Sequence, residues 1–297
     1  MSARGWVLFA AMSVIWGLPY LFIKVAVDDD VSPMVVSWGR VVLAMLILVP
    51  IAWRAGILPS ARGHVRWLLA YALAEVCVPF PLIAAGEQHI DSGLAAIIIA
   101  AVPLLIALLA IRFDPEERVT GSRLIGLFVG LAGVVVLVGI DVAGQSDELL
   151  GAGAVLLAAL GYAIGPLVLK RHLAELDPIL TMAVSMILAS LVLTPFAVAV
   201  PTEAPSTEAL LSIVALGVIC TALAFVVFAH LINEVGPSRA LVFTYVNPVV
   251  AVALGIVILD ERPGPGALIG LVLILVGSWL STRGERTAPS APEVATG

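Results

Sequence analysis

The sequence predicts an all-α membrane protein in which ten transmembrane helices form two inverted five-helix repeats around a central cavity. Three observations indicate this fold: the composition, the spacing of the apolar runs, and a pattern shared by the two halves of the chain. The chain has 297 residues, of which 61% are apolar and 12% are charged, and its mean hydropathy is +1.14. Soluble domains carry about 25% charged residues, so the composition argues strongly against a soluble α/β enzyme.

The apolar residues fall into ten runs near the length of about 20 residues that crosses a bilayer. The fifth and tenth runs are short. The first run is too long for the apolar part of a signal peptide and contains Lys24, which favours a span. In chain order the predicted spans are Trp6–Val27, Met34–Trp53, Trp67–Gly86, Ser92–Ile111, Leu124–Ile140, Leu150–Leu169, Ile179–Val200, Leu210–Ile232, Ala240–Leu259 and Gly264–Leu280.

The basic residues test the count of ten spans. With a cytoplasmic N-terminus, twelve of the fifteen Lys and Arg residues fall on the cytoplasmic side, Arg262 falls in an outer loop, and Lys24 and Arg40 lie within spans. The outer loops carry acidic residues instead, Glu87 among them. Because cytoplasmic loops are enriched in Lys and Arg, both termini are expected in the cytoplasm, with residues 283–297 as a disordered tail.

The sequence contains no pattern that predicts a binding site for a cofactor, a metal ion or a nucleic acid. Cys77 and Cys220 both lie in apolar runs, so neither a disulfide framework nor a paired-cysteine metal site is available. The net charge of −6 is too small and too mixed to indicate nucleic-acid binding. The expected partners are therefore the lipid bilayer and a small-molecule substrate, and no cofactor is expected.

The two halves of the chain share an ordered pattern. The segment Glu117–Gly133 recurs 144 residues later as Glu261–Gly277, with eight of 17 positions identical. Further back, Pro103 in the fourth span matches Pro248 in the ninth with a slip of one residue. A set of matches in the same order at a near-constant offset indicates an internal repeat.

An odd number of spans in each half makes the repeat an inverted one. Residues 1–140 and 141–282 would each hold five spans, so equivalent helices would cross the membrane in opposite directions. Inverted repeats place a substrate site near the bilayer midplane at their interface and are suited to alternating access. The repeat therefore favours a carrier.

Short motifs in both halves resemble those of a known family. They are Ile15-Trp16-Gly17, Lys24, Ser32-Pro33, Arg40, Pro103, Glu117-Arg118, Asn247-Pro248 and Asp260-Glu261-Arg262. Together they resemble the EamA-type transporters of the drug/metabolite transporter superfamily. The resemblance implies that helices one to four and six to nine surround a central cavity, with helices five and ten outside it. It also implies transport of amino acids or other small metabolites, often outward across the bacterial inner membrane.

This chain departs from the family pattern in two places. The segment 113–116 is longer than its counterpart in the second half, and the second half has no intramembrane arginine to match Arg40. The family is broad, so the resemblance implies a carrier without implying which substrate it moves.

Two charged residues lie well inside predicted spans. Arg40 is in the second span and Glu75 is in the third, where a charge costs at least about 2.5–3.5 kcal/mol on insertion scales. Their depths differ by about 8 Å at a rise of about 1.5 Å per residue, near the reach of an arginine. An ion pair that fixes the two spans is one interpretation, and Glu75 as a proton carrier coupled to substrate binding is the other.

Aromatic and polar residues at similar depth complete the predicted site. Trp and Tyr offer an apolar face with one polar group, which suits amino acids or aromatic metabolites; for most single residues ordinary packing is the alternative. The predicted substrate-binding residues are Trp16, Tyr20, Trp38, Arg40, Tyr71, Glu75, Pro103, Tyr162, Tyr245 and Asn247. Structural or gating roles are predicted for Glu117, Arg118, Glu261 and Arg262, the glutamates because they favour the dipole of the helix that follows each of them.

Helix-breaking residues occur in matched spans. Gly17 in the first span corresponds to the Gly161–Pro166 region of the sixth, and Pro103 in the fourth corresponds to Pro248 in the ninth. Broken helices expose backbone groups to a cavity, so these pairs are predicted to line one. A packed kink is the alternative for any single proline.

Glycines in the two short spans permit close approach of helices. Gly126 and Gly130 are separated by three residues, as are Gly266 and Gly270. Such spacing lets two helix backbones touch, either within one chain or between two copies. Both a monomer and a dimer therefore remain open.

The leading hypothesis is a secondary transporter of the inner or plasma membrane that exports small polar metabolites such as amino acids by alternating access. A channel or facilitator is the alternative within transport. A membrane-embedded enzyme is less favoured, because the spans contain no H-E-x-x-H, no G-x-S-x-G and no paired aspartates. A receptor or scaffold would not explain the matched broken helices.

Overall fold

The computed structural model describes residues 1–113, 121–142, 144–201 and 204–282, and every regular element in these ranges is a helix. Among the described residues, nine helices are long and apolar enough to cross a membrane, and a tenth has a shorter apolar stretch. They are α1 (Ala3–Asp28), α2 (Pro33–Arg54), α3 (Val65–Glu87), α4 (Ser92–Leu109), α5 (Ser122–Val142), α6 (Ser146–Leu173), α7 (Pro178–Ala199), α8 (Thr207–Val235), α9 (Leu241–Ile258) and α10 (Pro265–Thr282). Each of the ten predicted apolar runs overlaps one of these helices. The predicted tail, residues 283–297, lies outside the described residues.

The helices α2 and α7 begin in the same way. Ser32 accepts a hydrogen bond from the backbone nitrogen of Met34 at 3.3 Å, and Asp177 accepts one from Ile179 at 2.7 Å. A proline follows each of these capping residues at the first helical position, where its missing N–H costs nothing. Ser32-Pro33 in the first half and Asp177-Pro178 in the second half are thus equivalent helix starts.

Several long helices are interrupted near their middle. The α-helical geometry of α1 breaks at Trp16 and Gly17, that of α4 breaks at Ala100 and Ala101, and α9 changes from a 3₁₀ turn (Leu241–Tyr245) to an α-helix at Asn247. The breaks in α4 and α9 stand just before Pro103 and Pro248, as their matched positions predict. In α3 and α8 the interruption is a π-helical turn, over Leu73–Cys77 and Val218–Leu223.

The predicted break in α6 is wrong. This helix is continuous over Ser146–Val168, and its π-helical turn comes later, at Leu169–Leu173. Its glycines serve close packing instead, because a Cβ on Gly161 would lie 2.6 Å from the carbonyl oxygen of Ala74 and one on Gly165 would overlap the carboxylate of Glu75. The backbone of α6 therefore touches α3 directly.

The short helices α5 and α10 pack against each other through glycines. A Cβ on Gly133 would lie 2.9 Å from the backbone nitrogen of Ile274, and one on Gly270 would lie 2.9 Å from the carbonyl oxygen of Gly133. A Cβ on Gly277 would overlap the backbone of Gly130. The close approach that the glycine spacing predicted is thus found within one chain.

The apolar core divides into two main clusters of buried residues. One includes Ile23 of α1, Ile97 and Leu104 of α4, and residues of α5, α6, α9 and α10. The other joins α2, α3 and α7, with Leu48, Met186 and their neighbours. Tyr162 of α6 packs against both clusters, so it marks their boundary.

The loops meet at two ends of the bundle. At the end where α1 finishes, Asp29 accepts a hydrogen bond from the backbone nitrogen of Ser206 at 2.8 Å, joining the α1–α2 and α7–α8 loops. At the end where α1 begins, Ser2 donates to Glu234 near the end of α8, over 2.5 Å. We call the first of these the α1-C end of the bundle and use the term below.

Candidate functional site

The guanidinium of Arg40 is buried between three helices. Its Nε donates to the hydroxyl oxygen of Thr221 over 2.8 Å, and its central carbon lies 3.8 Å from the centre of the Phe80 ring. Thr221 in turn donates to the carbonyl oxygen of Leu216 at 2.8 Å. The π-helical turn of α8 therefore places a hydroxyl, supported by its own backbone, against the intramembrane arginine of α2.

The carboxyl group of Glu75 lies in the π-helical turn of α3. Its Oε2 atom is buried and has no hydrogen-bond partner. The carboxylate rests against the bare Cα of Gly165 in α6, where any side chain would overlap it. An acidic oxygen without a donor in an apolar bundle costs free energy that a polar ligand or a proton would offset.

Arg40 and Glu75 do not form an ion pair. Ion pairs within 4.0 Å are found for Arg4–Glu234 and Lys24–Asp28, among others, but none joins Arg40 to Glu75 in the described ranges. Tyr162 is close enough to interact electrostatically with both Arg40 and Glu75, so the three side chains lie in one region of the bundle. The interpretation of a fixed ion pair between α2 and α3 is therefore not supported by the geometry.

Two further tyrosines border the same region. Tyr20 of α1 interacts electrostatically with Tyr162 and Arg40. Tyr71 of α3 interacts with Glu75 and Tyr162, and its hydroxyl donates to the sulfur of Met182 at 3.6 Å. Arg40, Glu75 and the three tyrosines are thus one group, drawn from α1, α2, α3 and α6, which we call the central polar group.

Other predicted site residues make contacts between helices elsewhere. Trp16 stands in an aromatic cluster with Phe225, Phe228 and Phe243, at ring distances of 5.1–5.7 Å. Trp38 donates to the hydroxyl oxygen of Thr194 at 2.9 Å. Tyr245 is directed to α10, where its hydroxyl donates to the carbonyl oxygen of Ser278 over 3.4 Å.

The remaining two predicted residues lie at the breaks of α4 and α9. Pro103 is half-buried just after the break in α4. With its amide nitrogen facing carbonyl groups, Asn247 donates to Phe243 at 3.0 Å and to Ser13 at 3.1 Å. Because Ser13 precedes the break in α1, this side chain joins the interrupted parts of α1 and α9. For these residues, as for the three aromatic ones, direct contact with a substrate stays a prediction.

The predicted gating residue Glu261 binds a different helix from the one expected. Its two carboxylate oxygens accept hydrogen bonds from the backbone nitrogens of Ser92 at 2.7 Å and Gly93 at 3.1 Å, so it caps the N-terminus of α4. The N-terminus of α10 is capped instead by Asp141, which accepts from Gly266 at 3.0 Å and from the next residue. Glu117 and Arg118 lie outside the described residues.

A cavity of about 370 Å³ opens at the α1-C end of the bundle. Its lining includes Asp91, Asp141, Glu148, Glu261 and Arg262. Partial burial raises the pKa of Asp91, and the negative charge of Glu261 raises it further. No group of three or more His, Cys, Asp or Glu residues in the described ranges could hold a metal ion. The predicted midplane cavity around Arg40 stays a prediction.

The profile of the EamA-like transporter family matches residues 3–139 and again 149–283. The chain belongs to this family. The match covers nearly the whole chain in two consecutive copies. The members of this family are transporters. Membership indicates transport rather than catalysis and identifies the chain as a multi-pass membrane protein.

Relatives of this EamA-family chain carry transporter names. It is 27% identical to a protein of Escherichia coli named inner membrane transporter YedA, over 96% of this chain and 92% of the relative. It is 26% identical to a transporter of Archaeoglobus fulgidus, over 94% and 99%. It is also 26% identical to an Escherichia coli protein named probable amino-acid metabolite efflux pump, over 96% and 97%. One crystal structure superposes with a TM-score of 0.66 at 19% identity, covering 95% of this chain and 97% of the other, which shows the same fold.

Sequence reasoning missed several buried residues in and near the site of this EamA-family chain. Thr221 and Phe80 hold Arg40, yet neither stands out within an apolar run. Glu87 was expected in an outer loop, but it is the last residue of α3 and is 0% exposed. In the sequence, Glu87 directly follows a predicted span. This position does not distinguish a loop residue from one whose side chain faces the interior of the bundle.

Proposed function

We propose that this chain is a secondary transporter that exports small polar metabolites such as amino acids by alternating access through a site at the central polar group. Membership of the EamA-like family supports the transport class. The name of one relative, an amino-acid metabolite efflux pump, supports the substrate class and the outward direction. The membrane would be the bacterial inner membrane or its equivalent.

The proposed architecture has ten crossings in two inverted halves, residues 1–140 and 141–282, with both termini in the cytoplasm. The two consecutive family matches support the duplication. The equivalent starts of α2 and α7, the matched breaks in α4 and α9, and the matched π-helical turns in α3 and α8 support it independently. The α1-C end would then face outward.

The observation that carries the proposal is the separation of Arg40 from Glu75. Both are inside an apolar bundle, they form no ion pair, and Tyr162 interacts electrostatically with each of them. A zwitterion such as an α-amino acid offers a carboxylate to Arg40 and an ammonium group to Glu75. Arginine binds carboxylates through two parallel hydrogen bonds, which gives the site a defined orientation.

A proton is the proposed alternative occupant of Glu75. When the cavity is empty, protonation would relieve the cost of an unpaired carboxylate in low-dielectric surroundings. Arrival of a substrate ammonium would favour the ionised form, so substrate binding would release the proton. This exchange would couple export to the proton gradient.

A panel experiment tests the proposal. The protein is reconstituted into proteoliposomes, and radiolabelled α-amino acids are offered singly, with and without a pH gradient. We expect transport of at least one amino acid, its loss in Arg40→Met, and loss of its dependence on the pH gradient in Glu75→Gln. Arg54→Met, which changes an exposed arginine at the end of the same helix, serves as the control and should transport normally.

Three outcomes of the panel would contradict parts of the proposal. Unchanged transport in Arg40→Met would show that the central polar group is not the substrate site. Transport that equilibrates each compound without exchange or coupling would favour a channel, the second candidate within the family's class. Formation of a product from any amino acid without net movement would favour an enzyme instead.

A further inference from the structure

Glu87 is a carboxylic acid sealed inside the bundle. It is the last residue of α3, its side chain is 0% exposed, and neither of its carboxyl oxygens has a hydrogen-bond partner. The last turn of α3, which precedes Glu87, packs directly against the backbone of α6, because a Cβ on Gly86 would lie 2.9 Å from the carbonyl oxygen of Gly151. Rotation of the helix end is therefore restricted, and the carboxyl group is held where it is.

A lysine binds this residue through its backbone rather than its carboxyl group. The ammonium of Lys24 donates to the carbonyl oxygen of Glu87 at 2.8 Å and pairs with Asp28 at 2.9 Å. The carboxyl group of Glu87 forms no ion pair within 4.0 Å, since Lys24–Asp28 is the pair found there. Lys24 thus has two partners, the Glu87 carbonyl oxygen and the Asp28 carboxylate. The carboxyl group of Glu87 is a third group that it could bind.

The charged and titratable groups near the Glu87 carboxyl come from several elements. Lys24, Asp28 and Tyr20 face it from α1, Arg40 from α2, and Glu261 from the loop before α10. The segment of α6 that touches Gly86 presents Gly151 and Val155, neither of which titrates. Two of these neighbours, Asp28 and Glu261, are acids. Their negative charges offset the attraction that Lys24 and Arg40 exert on an ionised Glu87.

This arrangement favours the neutral acid. An ionised carboxylate without exposure, hydrogen bonds or an ion pair is costly in protein interiors. The same group becomes inexpensive if the Lys24 ammonium leaves Asp28 for the carboxylate, or if water reaches it. Opening of the α1-C end would supply either change, because Asp28 is half-exposed at that end.

We propose that Glu87 is a second proton-binding site, placed between the central polar group and the α1-C end, and that Lys24 exchanges Asp28 for the Glu87 carboxylate when the proton leaves. The proposal rests on the transport function proposed above and assigns a ligand, the proton, to a residue outside the substrate site. In this conformation Glu87 holds the proton. When the α1-C end opens, its O–H bond breaks, the proton goes to an entering water molecule, and the carboxylate that remains pairs with Lys24.

Infrared difference spectroscopy during a pH titration tests the site without any substrate. The full-length protein is reconstituted in lipid, and the carbonyl stretching band of a protonated carboxylic acid is followed from acid to alkaline pH. We expect two components of this band in the wild type, one from the protonated Glu75 proposed above and one that is absent in Glu87→Gln and retained in Glu208→Gln, which changes an exposed acid at the same end. A wild-type spectrum that Glu87→Gln leaves unchanged would overturn the proposal.

A second variant keeps the test valid if Glu87→Gln does not fold. In Lys24→Met the cation that would stabilise the carboxylate is lost, so the Glu87 component of the acid band should persist to higher pH than in the wild type. A band that disappears at the same pH would overturn the exchange with Lys24. Because neither readout needs transport, failure of the transport proposal in the amino-acid panel can be distinguished from failure of the proton site.

Discussion

A single hydroxyl determines how Arg40 is held. The guanidinium Nε has Thr221 as its hydrogen-bond partner, and the Phe80 ring covers its central carbon. Hydrogen bonds to charged groups contribute more than neutral ones, and a buried donor that loses its acceptor costs the desolvation of that group. The stability of the α2–α8 contact should therefore depend on this one oxygen.

Replacing Thr221 with valine removes the oxygen and keeps the shape. We expect Thr221→Val to lower the stability of the protein in detergent by about 1–3 kcal/mol, measured by thermal unfolding. Thr221→Ser keeps the hydroxyl and should unfold close to the wild-type temperature. Equal unfolding temperatures for valine and wild type would show that Arg40 does not need this partner.

Gly165 provides the space that Glu75 occupies. Because a Cβ at this position would overlap the carboxylate, we expect Gly165→Ala to displace Glu75 and to reduce transport severalfold in proteoliposomes while the protein still folds. Gly153→Ala is the matched control on the same helix, since nothing lies within 4 Å of its added Cβ. Normal transport by Gly165→Ala would argue that the position of Glu75 does not matter.

At the residue scale, the sequence predicted which residues carry charge inside the membrane but not what they touch. Arg40 and Glu75 are conspicuous because charges are costly there. Their partners depend on which face of α6 and α8 turns inward, and that is set by packing between helices far apart in the chain. Tyr245 is an example: its contact with a substrate stays a prediction, while the bond of its hydroxyl to Ser278 of α10 could not be predicted from its depth.

At the scale of elements, α5 and α10 form the closest helix pair described above. The glycines at 126, 130 and 133 meet those at 270 and 277, so the two backbones touch. Packing of small residues is what drives helix association in lipid. The equivalent helices of the two halves therefore hold each other, away from the central polar group.

A methyl group in this contact should separate the two helices. We expect Gly277→Ala to destabilise the protein by about 1–3 kcal/mol, the usual cost of overpacking, because its Cβ would overlap the backbone of Gly130. Gly139→Ala, near the end of α5 with nothing within 4 Å, should change little. Thermal unfolding in detergent measures both, and an unaffected Gly277→Ala would contradict the close approach.

Helix breaks were only partly predictable. Those at Pro103 and Pro248 follow from the missing N–H of proline, which leaves a carbonyl without its partner. In α6, by contrast, Gly161 and Gly165 do not break the helix but allow α3 to approach. The π-helical turns of α3 and α8 contain no proline or glycine themselves, but Pro79 lies two residues after the first turn and Gly217 directly before the second, so only their neighbours mark them. The partners of helix caps were also beyond prediction, since Glu261 reaches a helix of the other half.

At the scale of the whole molecule, the apolar runs predicted the helices well. A segment in lipid must satisfy its own backbone hydrogen bonds, so length and hydropathy suffice to mark a helix. All ten predicted runs overlap helices, and the repeat agrees with two consecutive family matches. Orientation in the membrane is predicted by the distribution of basic residues, since cytoplasmic loops are enriched in Lys and Arg.

In alternating access, one site serves both faces of the membrane in turn. Counterflow measures this directly: proteoliposomes are preloaded with an unlabelled amino acid that the panel identifies, and trace label is added outside. We predict that label accumulates transiently above its equilibrium level, because each inward step of label is linked to an outward step of unlabelled substrate, and that Arg40→Met abolishes the effect. Entry of label at the same rate and to the same level with and without preloading would contradict alternating access.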